Sequence, residues 1–376
     1  MPKRLPTIES DVPEVVLITG FPRLPARRLA NEILERDPKA RLELLVHSAN
    51  EPFAADLAVR HPDRANLLVG DVSGMDLGLA GAEYRQLCES VTTIHHLATA
   101  SLREDTREVA ERINVGGTRA ILQLAGECGR LRRLCHWSSI AVAGKRRGVI
   151  LEEELDEHQA FHNAHEQTLC EAEKLARAAM QRLPVTVFRP GIVVCDSKTG
   201  ECDEHSGPYY LLALLAGGKH KLPVPVPGPA TAPLHLVPAD YVASAAYVLS
   251  LDERATSGTF HLTDPNPLPA RKVFELVAEL SHTKLARHAL PTGIAKTLLR
   301  APGLERLARA PRAFLDSVDQ QVFYNSRRAS ELLSSHGISC PPFDSYAEEL
   351  VHYVHDREEH SDAVASDADD QVDPFE

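Results

Sequence analysis

The sequence has no apolar run reaching the roughly 18 to 20 residues that a membrane-spanning helix requires, so no span is expected. Its start, Met1 to Asp11, is polar, carries two prolines and lacks the apolar core of a signal peptide, which makes the cytoplasm the expected compartment. The seven cysteines (Cys88, Cys128, Cys135, Cys170, Cys195, Cys202 and Cys340) are scattered and include no CxxC pair. Neither a disulfide framework nor a zinc ribbon is implied, and the thiols read as reduced and mostly structural. No basic stripe stands out, which argues against a nucleic-acid partner.

The charge that is present is uneven. The net charge is −12 over 376 residues, yet nine acidic residues and one arginine between Asp356 and Glu376 carry −8 of it, leaving a mild −4 on the rest. That tail, 356–376, lacks apolar periodicity and is expected to be a solvated, disordered end. The hydrophobic share of 43% and charged share of 25% are those of an ordinary globular protein with an ample core.

From Glu14 onward, short apolar runs alternate with segments of helical spacing. Val15 to Ile18 is a continuous apolar run of the kind buried on both faces of a parallel sheet. Thr19-Gly20 breaks it, and Ala26 to Arg36 follows with Leu29, Ile33 and Leu34 on one side. Further strands are expected at Leu42–Val46, Ala65–Val69, Thr92–Leu97, Leu131–Trp137 and Val185–Phe188, and helices at Val109–Gly126 and Glu166–Gln181. The alternation predicts an α/β fold, a doubly wound parallel Rossmann sheet. Residues 12–200 are assigned to it, with later segments, about 234–265, returning. Residues 201–355 read as a smaller, mostly helical cap, with prolines and glycines clustered in Leu222–Pro233 and helical patterns at Asp240–Leu251, Ala270–Ser281, Ala289–Leu315, Ser326–Leu333 and Ser345–His355.

In such sheets ligands bind beyond the carboxyl ends of the strands, and the first strand–helix turn lets backbone approach a pyrophosphate. Here that turn reads Thr19-Gly20-Phe21-Pro22-Arg23-Leu24-Pro25-Ala26. It resembles the TGxxGxxG turn of the extended short-chain dehydrogenase/reductases, with Arg23 and Ala26 at the second and third glycine positions. Two readings of Arg23 stay open: it points outward or pairs with a phosphate, or it fills the site and binding is lost.

Other segments carry the same resemblance. Gly70-Asp71-Val72 is similar to the turn whose Asp faces the adenine, Ile94 to Ala98 to the segment lining the cofactor cleft, and Asn114-Val115-Gly116-Gly117-Thr118 to the NxxGT element, where Asn114 would have a structural and proton-relay role. After the second strand, His47-Ser48 stands where these reductases often carry an NADPH-selecting Arg. Ser139, five residues before Gly144, falls at the serine that polarises the substrate oxygen. The helix Asn163 to Lys174 looks like the family's NxYExTKxxAE pattern, with His165 at the Tyr position and Leu169 at the Lys position. Leu169 cannot supply an ammonium, whereas His165 can still move a proton. Lys174, nine residues beyond His165, lies elsewhere on the helix, and Tyr209 or Tyr210 would have to reach in from the cap. His158, His162 and His165, at i, i+4 and i+7, raise metal binding, but no fourth ligand is evident.

Phe188-Arg189-Pro190 through Glu201, with Gly207 to Tyr210 and Leu236 to Val242, resembles the RPGIVVGDSRTGE and VPVDYV signatures of the thioester-reductase and male-sterility-like branch, with Cys195 in place of a glycine. The resemblance implies NADP or NAD as cofactor, held by Thr19, Gly20, Arg23, His47, Asp71, Val72, Ala98, Arg189 and Pro190. It implies an acyl-thioester-like ligand, a carrier or partner protein, and a homodimer paired through the helices flanking the dyad. The replaced dyad turns the expectation first to a ligand- or partner-binding pseudoenzyme. A reductase using His165 as proton donor and a non-redox enzyme using Ser139 and His165 stand as alternatives.

Overall fold

The computed structural model describes residues 13–100, 106–203, 230–286 and 318–357. Most of the Leu222–Pro233 loop, the whole of the helix expected at Ala289–Leu315, Tyr209, Tyr210 and the tail beyond residue 357 lie outside the described residues.

The chain divides into two compact units. The first comprises residues 1–193, 239–265 and 322–340. Its strands include β1 (Val15–Thr19), β2 (Arg41–Val46), β3 (Ala65–Val69), β4 (Thr93–His96), β5 (Arg133–Trp137), β6 (Gly148–Ile150), β7 (Val185–Pro190), β8 (Thr259–Leu262) and β9 (Val322–Tyr324). Seven of them form one sheet in the order β8-β7-β5-β4-β1-β2-β3, and every pairing in it is parallel. The sheet is a Rossmann sheet, with its order reversing between β1 and β4. In open α/β sheets that reversal is where ligands bind.

The helices of this unit are α1 (Leu24–Arg36), α2 (Glu51–Arg60), α3 (Gly81–Ser90), α4 (Arg107–Ala110), α5 (Gly117–Glu127), α6 (Ala164–Ala179), α7 (Ala239–Leu251) and, beyond the second unit's α8 (Ala270–Leu280), α9 (Arg327–Ser334). Buried Leu17, Leu45, Ile94, Leu134 and Val185 of the sheet pack with Leu87 of α3, Ile121 and Leu124 of α5 and Ala176 of α6. Burying each such side chain is worth about 1.5–3 kcal/mol, so this layer is a main source of stability. Elsewhere α1 meets α7, with the Ser244 hydroxyl donating to Glu32 at 2.6 Å and the Arg36 guanidinium 6.0 Å from the Tyr247 ring centre.

Residues 322–340, expected in the cap, belong to the sheet unit. Strand β9 pairs with β6 as a second, two-stranded parallel sheet. Buried Glu152 explains the return. Its carboxylate accepts from the backbone N–H groups of His261 (3.0 Å), Arg328 (2.9 Å) and Ala329 (3.2 Å), tying β8 to the first turn of α9. A carboxylate at a helix N-terminus satisfies donors that the helix leaves open.

The second unit comprises residues 194–238, 266–321 and 341–376. Its described parts include a hairpin at 194–203, α8 and a helix at 347–357. Among the described residues no helix is long and apolar enough to cross a membrane.

Candidate functional site

Every residue singled out for the site lies in the sheet unit, at or just beyond the carboxyl ends of β1, β2, β3, β4, β5 and β7, in the turn before α5, or at the start of α6. At the end of β1, Gly20 has φ +85°, and a Cβ there would lie 2.7–2.9 Å from the Leu97–Ala98 backbone. Only glycine permits this approach. Beside it the buried Thr19 hydroxyl accepts from the N–H groups of Leu97 and Ala98, both at 3.1 Å, and donates to His96 Nδ1 at 2.9 Å. His96 therefore carries its proton on Nε2, which faces the Thr118 hydroxyl at 3.4 Å. Thr118 in turn donates to the Asn114 carbonyl at 2.7 Å.

Asn114 sits in a widened π turn, Glu111–Gly116, between α4 and α5. Its side-chain oxygen accepts from Ala100 N–H and its amide donates to the Thr168 hydroxyl, both at 2.8 Å. It thus straps the loop after β4 to the first turns of α6. The backbone bulge frees it to do so, since a regular turn would point the side chain elsewhere.

Arg23, the exposed N-cap of α1, donates from its guanidinium to the Thr99 hydroxyl at 2.6 Å and the Thr99 carbonyl at 3.0 Å. It therefore spans from the first turn to the loop after β4. Its charge also reaches His165. Burial, reinforced by Arg23, pushes the His165 imidazole down to about 4. His165 Nδ1 is buried and has no hydrogen-bond partner among the described residues. His165 occupies the first turn of α6, whose N-cap is Asn163, accepting from Glu166 N–H at 2.9 Å. Glu166 reaches back to His162, accepting from its N–H at 2.8 Å and facing its Nδ1 at 3.0 Å.

Leu169, one turn on, is 4% exposed and packs with Val142, Leu155, Cys170 and Phe161. The position is an apolar seat, and an ammonium placed there would be desolvated without an anion. Lys174 points to Asp156 at 2.7 Å. His158 is exposed and His162 is engaged by Glu166, and the described residues hold no cluster of three or more metal-type ligands.

Ser139 caps the short turn Ile140–Ala143, accepting from Ala141 N–H at 3.2 Å. No hydrogen bond joins Ser139 to His165 among the described residues. Its neighbour Ser138 donates to Glu173 at 2.6 Å. The Tyr324 hydroxyl, not anticipated from sequence, donates to the Ile140 carbonyl at 3.2 Å and buttresses the same turn.

Arg189 has a side chain that is 1% exposed and turned to Glu173 (2.7–3.1 Å), the Glu154 carbonyl (2.7 Å) and His261 Nε2 (3.2 Å). Burial would raise Glu173, but the Arg189 and Arg177 guanidiniums and the Ser138 hydroxyl outweigh it and hold the carboxyl low. Pro190 is buried in the sheet opposite Leu262. The retained Glu173 of the helix pattern is the available signal that Arg189 has a partner.

After β3, Asp71 accepts from the N–H and hydroxyl of Ser73 at 2.8 and 2.7 Å. Burial works to raise it, yet those bonds and the charges of Arg112 and His47 keep it below the usual carboxylate range. Exposed His47 accepts from Ala49 N–H at 3.3 Å, and half-buried Val72 lies against Gly117.

Against a nicotinamide dinucleotide the residues divide into two unlike sets. Gly20 and the ionised Asp71 suit an adenine-side ligand. Apolar Leu169 and the neutral imidazole of His165 do not fit a nicotinamide ribose, and the Arg23–Thr99 strap occupies the turn where a pyrophosphate would lie.

Residues 25–246 match the family described as male sterility protein. A fatty acyl-CoA reductase, wat, of Drosophila melanogaster is 27% identical over 248 residues, covering 58% of this chain and 47% of that protein. A component of the linear gramicidin synthase of Brevibacillus parabrevis is 25% identical over 295 residues, covering 74% of this chain and 6% of that protein. The chain thus spans less than half the length of these relatives. The terminal R domain from the myxalamid PKS-NRPS biosynthetic pathway superposes with a TM-score of 0.79 at 25% identity, covering 93% of this chain and 92% of that one. A UDP-glucuronic acid 4-epimerase from Bacillus cereus in complex with NAD shares the fold, with a TM-score of 0.67 at 14% identity, covering 90% of this chain and 96% of that one.

Proposed function

We propose, for a chain that belongs to the male sterility protein family of extended short-chain dehydrogenase/reductases, a role in binding a ligand or partner without the family's Tyr/Lys hydride-transfer chemistry. The observation that carries it is Leu169, seated in an apolar cluster where the family pattern has its lysine. His165 adds to it. With its pKa near 4, only about one molecule in a thousand carries the imidazolium at pH 7, so it is a poor acid for a substrate oxygen.

The ligand class we assign is an elongated acyl group carried as a thioester, on coenzyme A or on a carrier protein. The support is family membership and the likeness to a fatty acyl-CoA reductase and to an R domain. In this reading Ser139, His165 and Asn114 shape the floor of the binding site and do not transfer protons.

A second reading, reduction of the same ligand class with NADP or NAD, draws support from the kept Gly20 approach and the ionised Asp71. The non-redox reading is weakened by the Ser139 hydroxyl, which is engaged by Ala141 and not by His165.

Calorimetric titration separates the first two. The expected result is binding of a long-chain acyl thioester at micromolar concentration, with NADPH and NADH binding no tighter than the millimolar range and no coenzyme oxidation when both are present. Coenzyme oxidation that depends on the acyl thioester would replace the binding role with the reductase.

A further inference from the structure

In the second unit, residues 194–203 form a tight hairpin. Asp196 N–H donates to the Glu201 carbonyl at 2.8 Å and Gly200 N–H to the Asp196 carbonyl at 3.0 Å. The Asp196 carboxylate gathers the tip, accepting from Lys198 N–H (2.9 Å), Thr199 N–H (3.0 Å) and the Thr199 hydroxyl (3.2 Å). Gly200, at φ +69°, lets the tip press on the helix at 347–357, where a Cβ would fall 2.1 Å from the Glu349 carbonyl.

Cys195 and Cys202 face each other directly across this hairpin as an antiparallel bridge. The backbone bond runs between Asp196 and Glu201, one step nearer the tip. The cysteines therefore form a non-hydrogen-bonded pair, a position where facing Cα atoms lie about 4.5 Å apart with side chains on one face. That spacing falls inside the roughly 4.4–6.8 Å range that a disulfide spans. Both residues are buried, at 0% and 4% exposure, both are thiols, and Cys202 Sγ lies 3.0 Å from the Gly200 carbonyl.

We propose that Cys195 and Cys202 are a thiol-modification site that closes to a hairpin disulfide on reaction with a small-molecule disulfide such as oxidised glutathione. One thiolate attacks the small disulfide, forming a mixed disulfide and releasing one small thiol. The facing cysteine then displaces the second small thiol and forms the intramolecular S–S bond. The two protein thiols are oxidised, the small disulfide is reduced to two thiols, and the two protons end on the released thiols. The bond staples the hairpin whose tip rests on the 347–357 helix. Cys88 and Cys128 also lie close together and are poor competitors. Burial and the charge of Glu127 push Cys128 up to about 12 and raise Cys88 as well, leaving little thiolate.

The test uses the full chain in its native state, equilibrated in glutathione buffers from fully reduced to strongly oxidising, alkylated, digested without reductant and mapped by mass spectrometry. The expected product is a peptide joining Cys195 to Cys202, rising from trace to the major form, reversed by dithiothreitol and absent from Cys195→Ala and Cys202→Ala. Full alkylation of both residues in the oxidising buffer overturns the proposal. So does a link to any other cysteine, or a glutathione adduct that persists without closing.

Discussion

Arg23 and Thr99 are joined twice, by guanidinium bonds of 2.6 Å to the hydroxyl and 3.0 Å to the carbonyl, so that the turn after β1 is tied to the loop after β4. The tie crosses the place where the fold ordinarily admits a pyrophosphate.

Replacing Arg23 with glycine removes both the tie and the bulk. Affinity for NADPH is expected to rise about tenfold, or roughly 1.4 kcal/mol, by calorimetry. A fall in affinity would mean that the guanidinium holds a phosphate and does not exclude one.

The His165 imidazole should titrate near 4 when its ring protons are followed by NMR. In Arg23→Gln the midpoint should move upward, because a like charge is gone. It should stay below the unperturbed value of about 6.5, because burial, the larger cause, persists. A native midpoint at the unperturbed value would place the ring in water and reopen it as a proton donor.

Three more histidines lie inside the sheet. Burial pushes His95 and His96 down to about 3 and His136 down to about 4. In each the folded value is depressed below the unfolded one, so the unfolded chain binds more protons once the pH drops below about 6.5. Stability is then fully present above that pH and is lost as the pH falls toward 4. The limiting slope is about 4 kcal/mol per pH unit for three such groups. Urea midpoints measured from pH 7 to 4 check this, and His136→Phe should flatten the slope by about a quarter, because His165 is depressed as well. A pH-independent midpoint would contradict it.

Glu173→Gln leaves the 1%-exposed Arg189 guanidinium without its anion. Removing one partner of a buried pair costs about 3–5 kcal/mol, which a urea titration should register. A loss below about 1 kcal/mol would show that the Glu154 carbonyl and His261 suffice to hold the arginine.

The sheet is legible in the sequence because β1 is a bare apolar run and because Thr19-Gly20 and Gly70-Asp71 punctuate strand ends with glycine. Leu169 and His165 are legible as substitutions because their neighbours Asn163, Thr168 and Glu173 survive. Strand β8 is not legible, since four residues, Thr259 to Leu262, become a strand only by pairing with β7, a partner far away in the chain. Helices α2 and α3 give little signal because their ten-residue stretches bury only two side chains each, Ala54 and Leu57, and Tyr84 and Leu87. The side-chain partner of Arg189 is hidden for a related reason. A charged side chain in a cofactor signature suggests a ligand, and its actual partner, Glu173, sits sixteen residues upstream on another element.

Two donor runs from Thr19 to α6 meet at Asn114, each with a fixed polarity. Backbone N–H groups of Leu97 and Ala98 enter at Thr19, which donates to His96, His96 to Thr118 and Thr118 to the Asn114 backbone carbonyl, where the first run ends; the Asn114 side-chain amide starts the second, donating to Thr168, whose hydroxyl serves the carbonyls of Ala164 and His165. Amide hydrogens and carbonyls anchor the two ends and cannot exchange roles, so the sequence of donors cannot reverse. A second proton on His96 would point at a hydroxyl already saturated by two donors. The ring is a one-way coupling held in a single tautomer, and proton traffic through it would have to break the same bonds that register β1 against the helix carrying His165.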